Sequence, residues 1–370
     1  MTAPGSLAGL RPRLRPGVLV SEPLLLGPRT VHLVRAPEGG RTFEVGPREA
    51  FLMTRLDGAR TLEELGGAYA EAFGRRLGEA NWRQLLALLG GRGLLAGGPA
   101  TPGAGGGEAA AKPGNGVLRG RVRLVADAHA TAGRLHRAVR PLLAPVPAVA
   151  LLTLLTGMTA VLAWHLPELV DGAAAVFRNP VLLVAVATAL WFSTALHELA
   201  HAVTARHHGG RVGEIGLRWR LPVVIMYCTV DDYPFLPGRR RRIAVAGAGA
   251  VTNLLFLVPF AAWWLLAPEG GTREALAGLL FLGVLQAFAM LVPLPPLDGY
   301  TIVSQALGAT RLATSSRTYL GLALRRDPAA AAHPPRARRA YTVYGLCVVL
   351  AGAALLGAFV LLVDALLTAP

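Results

Sequence analysis

The sequence predicts a multi-spanning α-helical membrane protein of about five transmembrane helices, with a small α+β domain at its N-terminus. Three observations predict it. Of the 370 residues, 53% are hydrophobic and only 16% charged, whereas an ordinary soluble domain carries about a quarter charged residues. Beyond residue 140 the apolar residues gather into runs of the length that crosses a bilayer, about 20 residues each. Residues 1–97 behave differently, with short alternating stretches, helical periodicity and turn residues typical of a water-facing fold.

Within residues 1–97, "TVHLVR" and "RTFEVG" alternate around "APEGG", the pattern of a β-hairpin closed by a glycine-containing loop. "GPREAFLMTRLDGARTLEELGGAYAEAFG" then supplies two helical stretches, the first expected to end at Asp57-Gly58. The second should open on a capping box formed by Thr61 and Glu64. "ANWRQLLALLGGRGLLAGG" adds a third helix stopped by glycines and a last short apolar strand. This order describes a winged-helix-like unit. The run "LDGARTLEEL" and the closing "RGLL" resemble the PqqD-like family. That resemblance covers about a quarter of the chain and implies a domain that grips the leader of a ribosomally made peptide. Residues 98–116, "GPATPGAGGGEAAAKPGNG", lack large apolar side chains and read as a flexible linker before a membrane domain over 117–370.

The spans fall near 146–166, 180–206, 243–267, 275–297 and 341–368. Arginines alternate across them. Arg134, Arg137 and Arg140 precede the first span, Arg206 to Arg242 fill the loop after the second, and Arg311 to Arg339 precede the last. The two other connections carry mainly Arg178 and Arg273 among acids. The positive-inside rule then puts the N-terminal domain in the cytoplasm and the C-terminus outside. The net charge of +15 thus belongs to a bilayer, and arginines that flank spans exclude a nucleic-acid-binding face. Cys228 and Cys347 are too few for a disulfide framework, and no cleavable signal peptide is visible.

The second span ends in "ALHELAHAV", an HExxH motif. On a helix, positions four apart lie within about 40° of one another, so His197 and His201 share a face and can share a zinc ion. Glu198 stands beside the first ligand, placed to take a proton from water on the metal. Catalytic zinc takes a third protein ligand and keeps an open position. Asp298, in "MLVPLPPLDGY", is the only acid between Glu274 and Asp327. Arginine-derived topology sends spans two and four in the same direction, which brings Asp298 to the depth of the two histidines. Pro293, Pro295 and Pro296 break the helix ahead of it.

These motifs strongly resemble the site-2 protease family of intramembrane zinc metalloproteases, over about residues 180 to 300. "HELAH" matches its first motif and "VPLPPLDG" its second, which supplies the third zinc ligand. "AGAVTNLL" resembles the intervening AGPxxN segment, where the resemblance makes Asn253 a substrate-backbone contact. The chain departs from the pattern at Met290, where the family usually has Asn, and at Ala250, where it has Pro. The first departure puts substrate handling in doubt.

Four polar residues outside the motifs are open as ligands or as ordinary loop groups, namely His207, His208, Asp231 and Asp232. Residues 209–230 read as a hairpin at the membrane surface able to pair with an extended substrate, and Arg239 to Arg242 as an anchor to anionic headgroups. The expected function is one-zinc peptide hydrolysis at a bacterial inner membrane. Its substrate would be a leader-bearing precursor peptide, matured or exported beside a peptide transporter. Two other functions stay open. One is cleavage of a membrane-anchored regulator such as an anti-sigma factor. The other is a non-catalytic peptide-binding or immunity role.

Overall fold

The computed structural model describes residues 7–37, 42–97, 116, 118–221 and 223–368. The chain forms two compact units, residues 1–114 with 308–310 and 328–337, and residues 115–307 with 311–327 and 338–370. The linker expected over 98–116 lies outside the described residues except for Gly116.

In the first unit, β1 (Leu19–Val20), β2 (Leu24–Leu26) and β4 (Thr42–Val45) each pair antiparallel with β3 (Arg29–Arg35). The expected hairpin is β3 and β4; the two short strands before it were not foreseen. Three helices follow, α1 (Pro47–Met53), α2 (Leu62–Phe73) and α3 (Glu79–Gly91). The capping box opens α2 as expected: Thr61 Oγ1 accepts from Glu64 N–H at 3.2 Å, and Glu64 accepts from Thr61 N–H at 2.7 Å. Two expectations are corrected. Helix α1 stops at Met53, because Asp57 Oδ1 accepts the N–H groups of Ala59 and Arg60 and turns the chain early. The last apolar run forms only an isolated bridge between Leu14 and Leu95. Val34, Leu52, Met53, Leu65, Tyr69, Trp82 and Leu89 make one core from sheet and helices.

The second unit holds β5 (Arg119–Arg123), α4 (Ala128–Val139), α5 (Pro145–Trp164), α6 (Leu166–Arg178) and α7 (Pro180–His207). After them come β6 (Val212–Arg220), β7 (Val223–Val230), α8 (Arg239–Leu266) and α9 (Gly271–Ala289). The chain closes with α10 (Asp298–Leu307), α11 (Leu312–Leu324) and α12 (Pro335–Thr368). Five of these helices are long and apolar enough to cross a membrane, namely α5, α7, α8, α9 and α12 over Pro335–Gly357. Large apolar side chains stand exposed along them, among them Val146, Leu152, Val181, Val184, Leu350 and Leu356. Apolar surface on that scale suits lipid and not water. The protein is membrane-embedded.

The fourth span is shorter than expected, ending at Ala289 and not near 297. Pro293, Pro295 and Pro296 cannot continue a hydrogen-bonded helix, so residues 290–297 form turns before α10 begins at Asp298. Helix α6 was not foreseen. It packs on α9 through small residues: a Cβ on Gly172 would lie 2.7 Å from Ala277 Cβ and from the Gly278 backbone nitrogen. In membranes such close backbone approach drives helix association. Arg273 clamps the same seam, reaching Glu168 at 2.6 and 3.2 Å, while Trp264 Nε1 donates to Glu168 at 3.1 Å. Gly278→Val would drive its side chain into Val176 and Gly172. It is expected to cost about 2 to 3 kcal/mol, read as a lowered unfolding midpoint in detergent.

Helices α7, α8 and α9 position the candidate site. Ser193 faces Asn253, His197 faces Gly249 and His201 faces Val245, so α7 and α8 run antiparallel. Val186 packs with Leu279, and Gln286 bonds Leu190 and Thr194, so α7 and α9 run in the same direction.

Candidate metal centre

Because α7 and α9 run the same way, the segment leaving α9 arrives at the end of α7 that carries the HExxH motif. Gly299 makes the turn possible. Its N–H donates to Met290 O at 2.9 Å, and a Cβ there would collide with the Leu291 carbonyl. Asp298 Oδ2 thereby comes to 3.0 Å from His197 Nε2 and 3.4 Å from His201 Nε2. Ligand atoms of all three residues lie within 4.8 Å of one another. This group can hold a metal ion.

The donor geometry fits a metal better than an ordinary polar cluster. Asp298 Oδ2 is buried and close to both imidazoles, yet it has no partner in hydrogen-bond geometry. Its nearest polar neighbours are the two imidazole nitrogens that could share an ion with it. Two ligands about 2.0–2.1 Å from a tetrahedral centre stand about 3.3 Å apart, and the separations of 3.0 and 3.4 Å match that. Two imidazoles and one carboxylate are a zinc-type donor set with a position left for water. His201 Nδ1 donates to Val245 O at 2.7 Å, which fixes the ring and, in the neutral imidazole, turns the Nε2 lone pair toward the centre.

Glu198 sits between the two histidines in sequence and turns toward β7, where its Oε2 accepts the Cys228 N–H at 3.1 Å. The Cys228 thiol, by contrast, is pushed up to about 12 by burial and by the Glu198 and Asp231 carboxylates, so it stays protonated. Asn253 is 2% exposed; its Oδ1 accepts from Ser193 Oγ at 3.1 Å while its buried Nδ2 has no partner. Since Ser193 precedes His197 by one helical turn, Asn253 stands one turn from the candidate metal group.

The remaining candidates fall elsewhere. Asp232 Oδ1 accepts the Arg211 N–H at 2.7 Å, and Asp231 N–H bonds Arg211 O at 3.0 Å, so both aspartates close the base of the β6–β7 hairpin. His207 and His208 lie outside the metal group, with His207 against His136 of α4. Ala250 is buried on α8 and Met290 caps α9. The expected hairpin at 209–230 is present, with β5 added to the other edge of β6.

Four contributors were not foreseen. Gly249 lies flat against the His197 ring, where any Cβ would overlap it. Val245 and Cys228 act through backbone atoms, which no side-chain motif reveals. Arg242 is the fourth, and with Arg239 it corrects the lipid-anchor reading at those two positions, while Arg240 and Arg241 are exposed. Arg242 is 2% exposed, with Nη1 donating to Leu236 O and Nε to Gln305 Oε1, both at 2.7 Å. Arg239 likewise donates to Ala306 O at 2.9 Å. Both arginines thus tie α8 to α10, the helix that begins with Asp298. Arg242→Met should take the donor from the buried Leu236 carbonyl and from the half-buried Gln305 side chain, and cost about 2 kcal/mol. A thermal melt of the variant, together with its zinc content, checks this.

Comparison of the chain with protein-family models, curated proteins and solved structures yields no match.

Proposed function

We propose that this protein is a membrane-embedded zinc metalloendopeptidase of the site-2 protease type. The observation that carries the reading is the convergence of His197, His201 and Asp298 beside Glu198 among membrane helices. The HExxH and LDG motifs support the same assignment. When bound, zinc supplies Lewis acidity, which acidifies water and polarises a carbonyl.

The chain's own residues account for the rest. Glu198 takes a proton from the attacking water as oxygen bonds to the scissile carbon, and returns it to the amine nitrogen as the C–N bond breaks. Cys228 N–H holds that carboxylate in place. Asn253 has an unpaired buried Nδ2 with which to hold a substrate carbonyl. Strand β7 offers the docking edge. Val224 O accepts from Trp191 Nε1 and Cys228 N–H meets Glu198, so even-numbered residues of β7 point away from β6. Met226 lies between them with the same orientation, ready to pair with an extended peptide one residue pair from Glu198.

The hairpin and three helices of the first unit support a PqqD-like, leader-binding role, which makes a leader-bearing precursor peptide the substrate. Arginine distribution supports a cytoplasmic N-terminal domain, an external C-terminus and a bacterial inner membrane location. The test incubates the detergent-solubilised protein with a precursor peptide encoded beside its gene. Cleavage should stop on removal of the metal with a chelator and return with one equivalent of zinc. Cleavage that persists in the metal-free protein would sink the reading. Turnover of a single-span anti-sigma factor in place of the precursor would replace the substrate. One bound zinc without turnover of either would favour a binding or immunity role.

A further inference from the structure

Helix α4 lies along the final turns of α7, and small residues fix that contact. Ala128 and Ala132 are buried against Ala202, Val212 and Ile215, and Gly133 lies beside Arg206. The seam sets His136 of α4 directly against His207, the last residue of α7. His136 Nε2 and His207 Nδ1 are 3.2 Å apart, with ring centroids 5.4 Å apart. His207 is exposed and His136 half-buried, so solvent reaches the pair. Its position does not depend on two loose side chains meeting by chance, because packed backbone on both sides holds it.

We propose that His136 and His207 form a second, exchangeable site for a borderline transition-metal cation such as Ni2+, Cu2+ or Zn2+. It is distinct from the HExxH centre and independent of the protease reading. The nitrogen separation of 3.2 Å is close to the roughly 3.3 Å between two imidazole donors on one tetrahedral ion. Water completes the coordination on the open side. Binding requires both facing nitrogens to offer lone pairs, so the proton now shared between the rings moves to the far nitrogen of its own ring. Burial first, and then the charges of His207, Arg140 and Arg206, lower the pKa of His136, which favours the neutral ring that a metal needs. His208, edge to face with His207 at 5.0 Å between ring centroids, is likewise held low by burial, His207 and Arg241.

The same arginines repel cations. The site therefore selects metals whose affinity for imidazole is intrinsically high and excludes Mg2+ and Ca2+, which prefer oxygen. An ion there staples α4 to the helix that carries His197 and His201.

Calorimetric titration of the tag-free, chelator-stripped full chain with Ni2+ tests the proposal. The wild type should bind two equivalents. His136→Ala and His207→Ala should each bind one, and His208→Ala two. The His197→Ala, His201→Ala double variant should keep one equivalent, and adding His207→Ala should abolish it. If His207→Ala binds as many equivalents as the wild type, the pair is a hydrogen-bonded couple and the proposal is overturned. If instead the wild type binds one equivalent, lost only with His136 or His207, this site stands and the HExxH centre fails.

Discussion

Replacing Glu198 by glutamine is expected to leave one zinc per chain while slowing peptide hydrolysis by about 10²- to 10⁴-fold. Glutamine keeps the volume of the side chain and can still accept the Cys228 N–H, which now lies 3.1 Å from Glu198 Oε2. It leaves His197, His201 and Asp298 untouched. The one thing it removes is a carboxylate able to take and return a proton. Metal content by mass spectrometry and single-turnover rates on the same preparation separate the two roles. Loss of zinc would make Glu198 a structural element of the centre, and an undiminished rate would place the base elsewhere.

The second large effect comes from a residue that binds nothing. Gly249→Val should strip zinc from the centre and abolish turnover while the chain keeps its helices. A Cβ at this position overlaps the Cε1, Nε2 and Nδ1 atoms of His197. Helix α8 cannot simply back away. It is held to α7 through Val245 and His201 at 2.7 Å on one side, and through Asn253 and Ser193 at 3.1 Å on the other. The cheaper response is rotation of the His197 ring, which carries Nε2 off the shared point. Gly249→Ala should act in the same direction, since the first side-chain carbon already collides. The overpacking itself costs about 1–3 kcal/mol. Circular dichroism in detergent would show an intact helical signal beside a zinc content near zero. A fully zinc-loaded Gly249→Val protein would show that α8 yields and that the contact is unimportant.

The parts of the centre legible in the sequence are those with side-chain chemistry and a fixed period. Four-residue spacing aligns His197 with His201 on any helix, and alternating arginines imply that α7 and α9 share a direction, which brings in Asp298. The parts that stayed hidden lack such a signature. Gly172 and Gly278 look like unremarkable small residues in apolar stretches, because close approach depends on the partner helix and not on hydropathy. Arg242 belongs to a run of four arginines, and nothing in that run tells which one is buried under α10. Val245 and Cys228 contribute backbone groups, which every residue possesses. The overlong fourth span has a different cause. Pro293, Pro295 and Pro296 break the helix, yet hydropathy stays high past them to 297 and hides the end of α9 at Ala289.

Asp298 is built only after two further membrane helices have followed the HExxH segment. During synthesis, an α7 already in the bilayer carries two imidazole donors beside Glu198 but lacks Asp298, the third member of the candidate cage. The three-residue group is therefore complete only once α9 has been made, and any ion it holds is bound late in biogenesis.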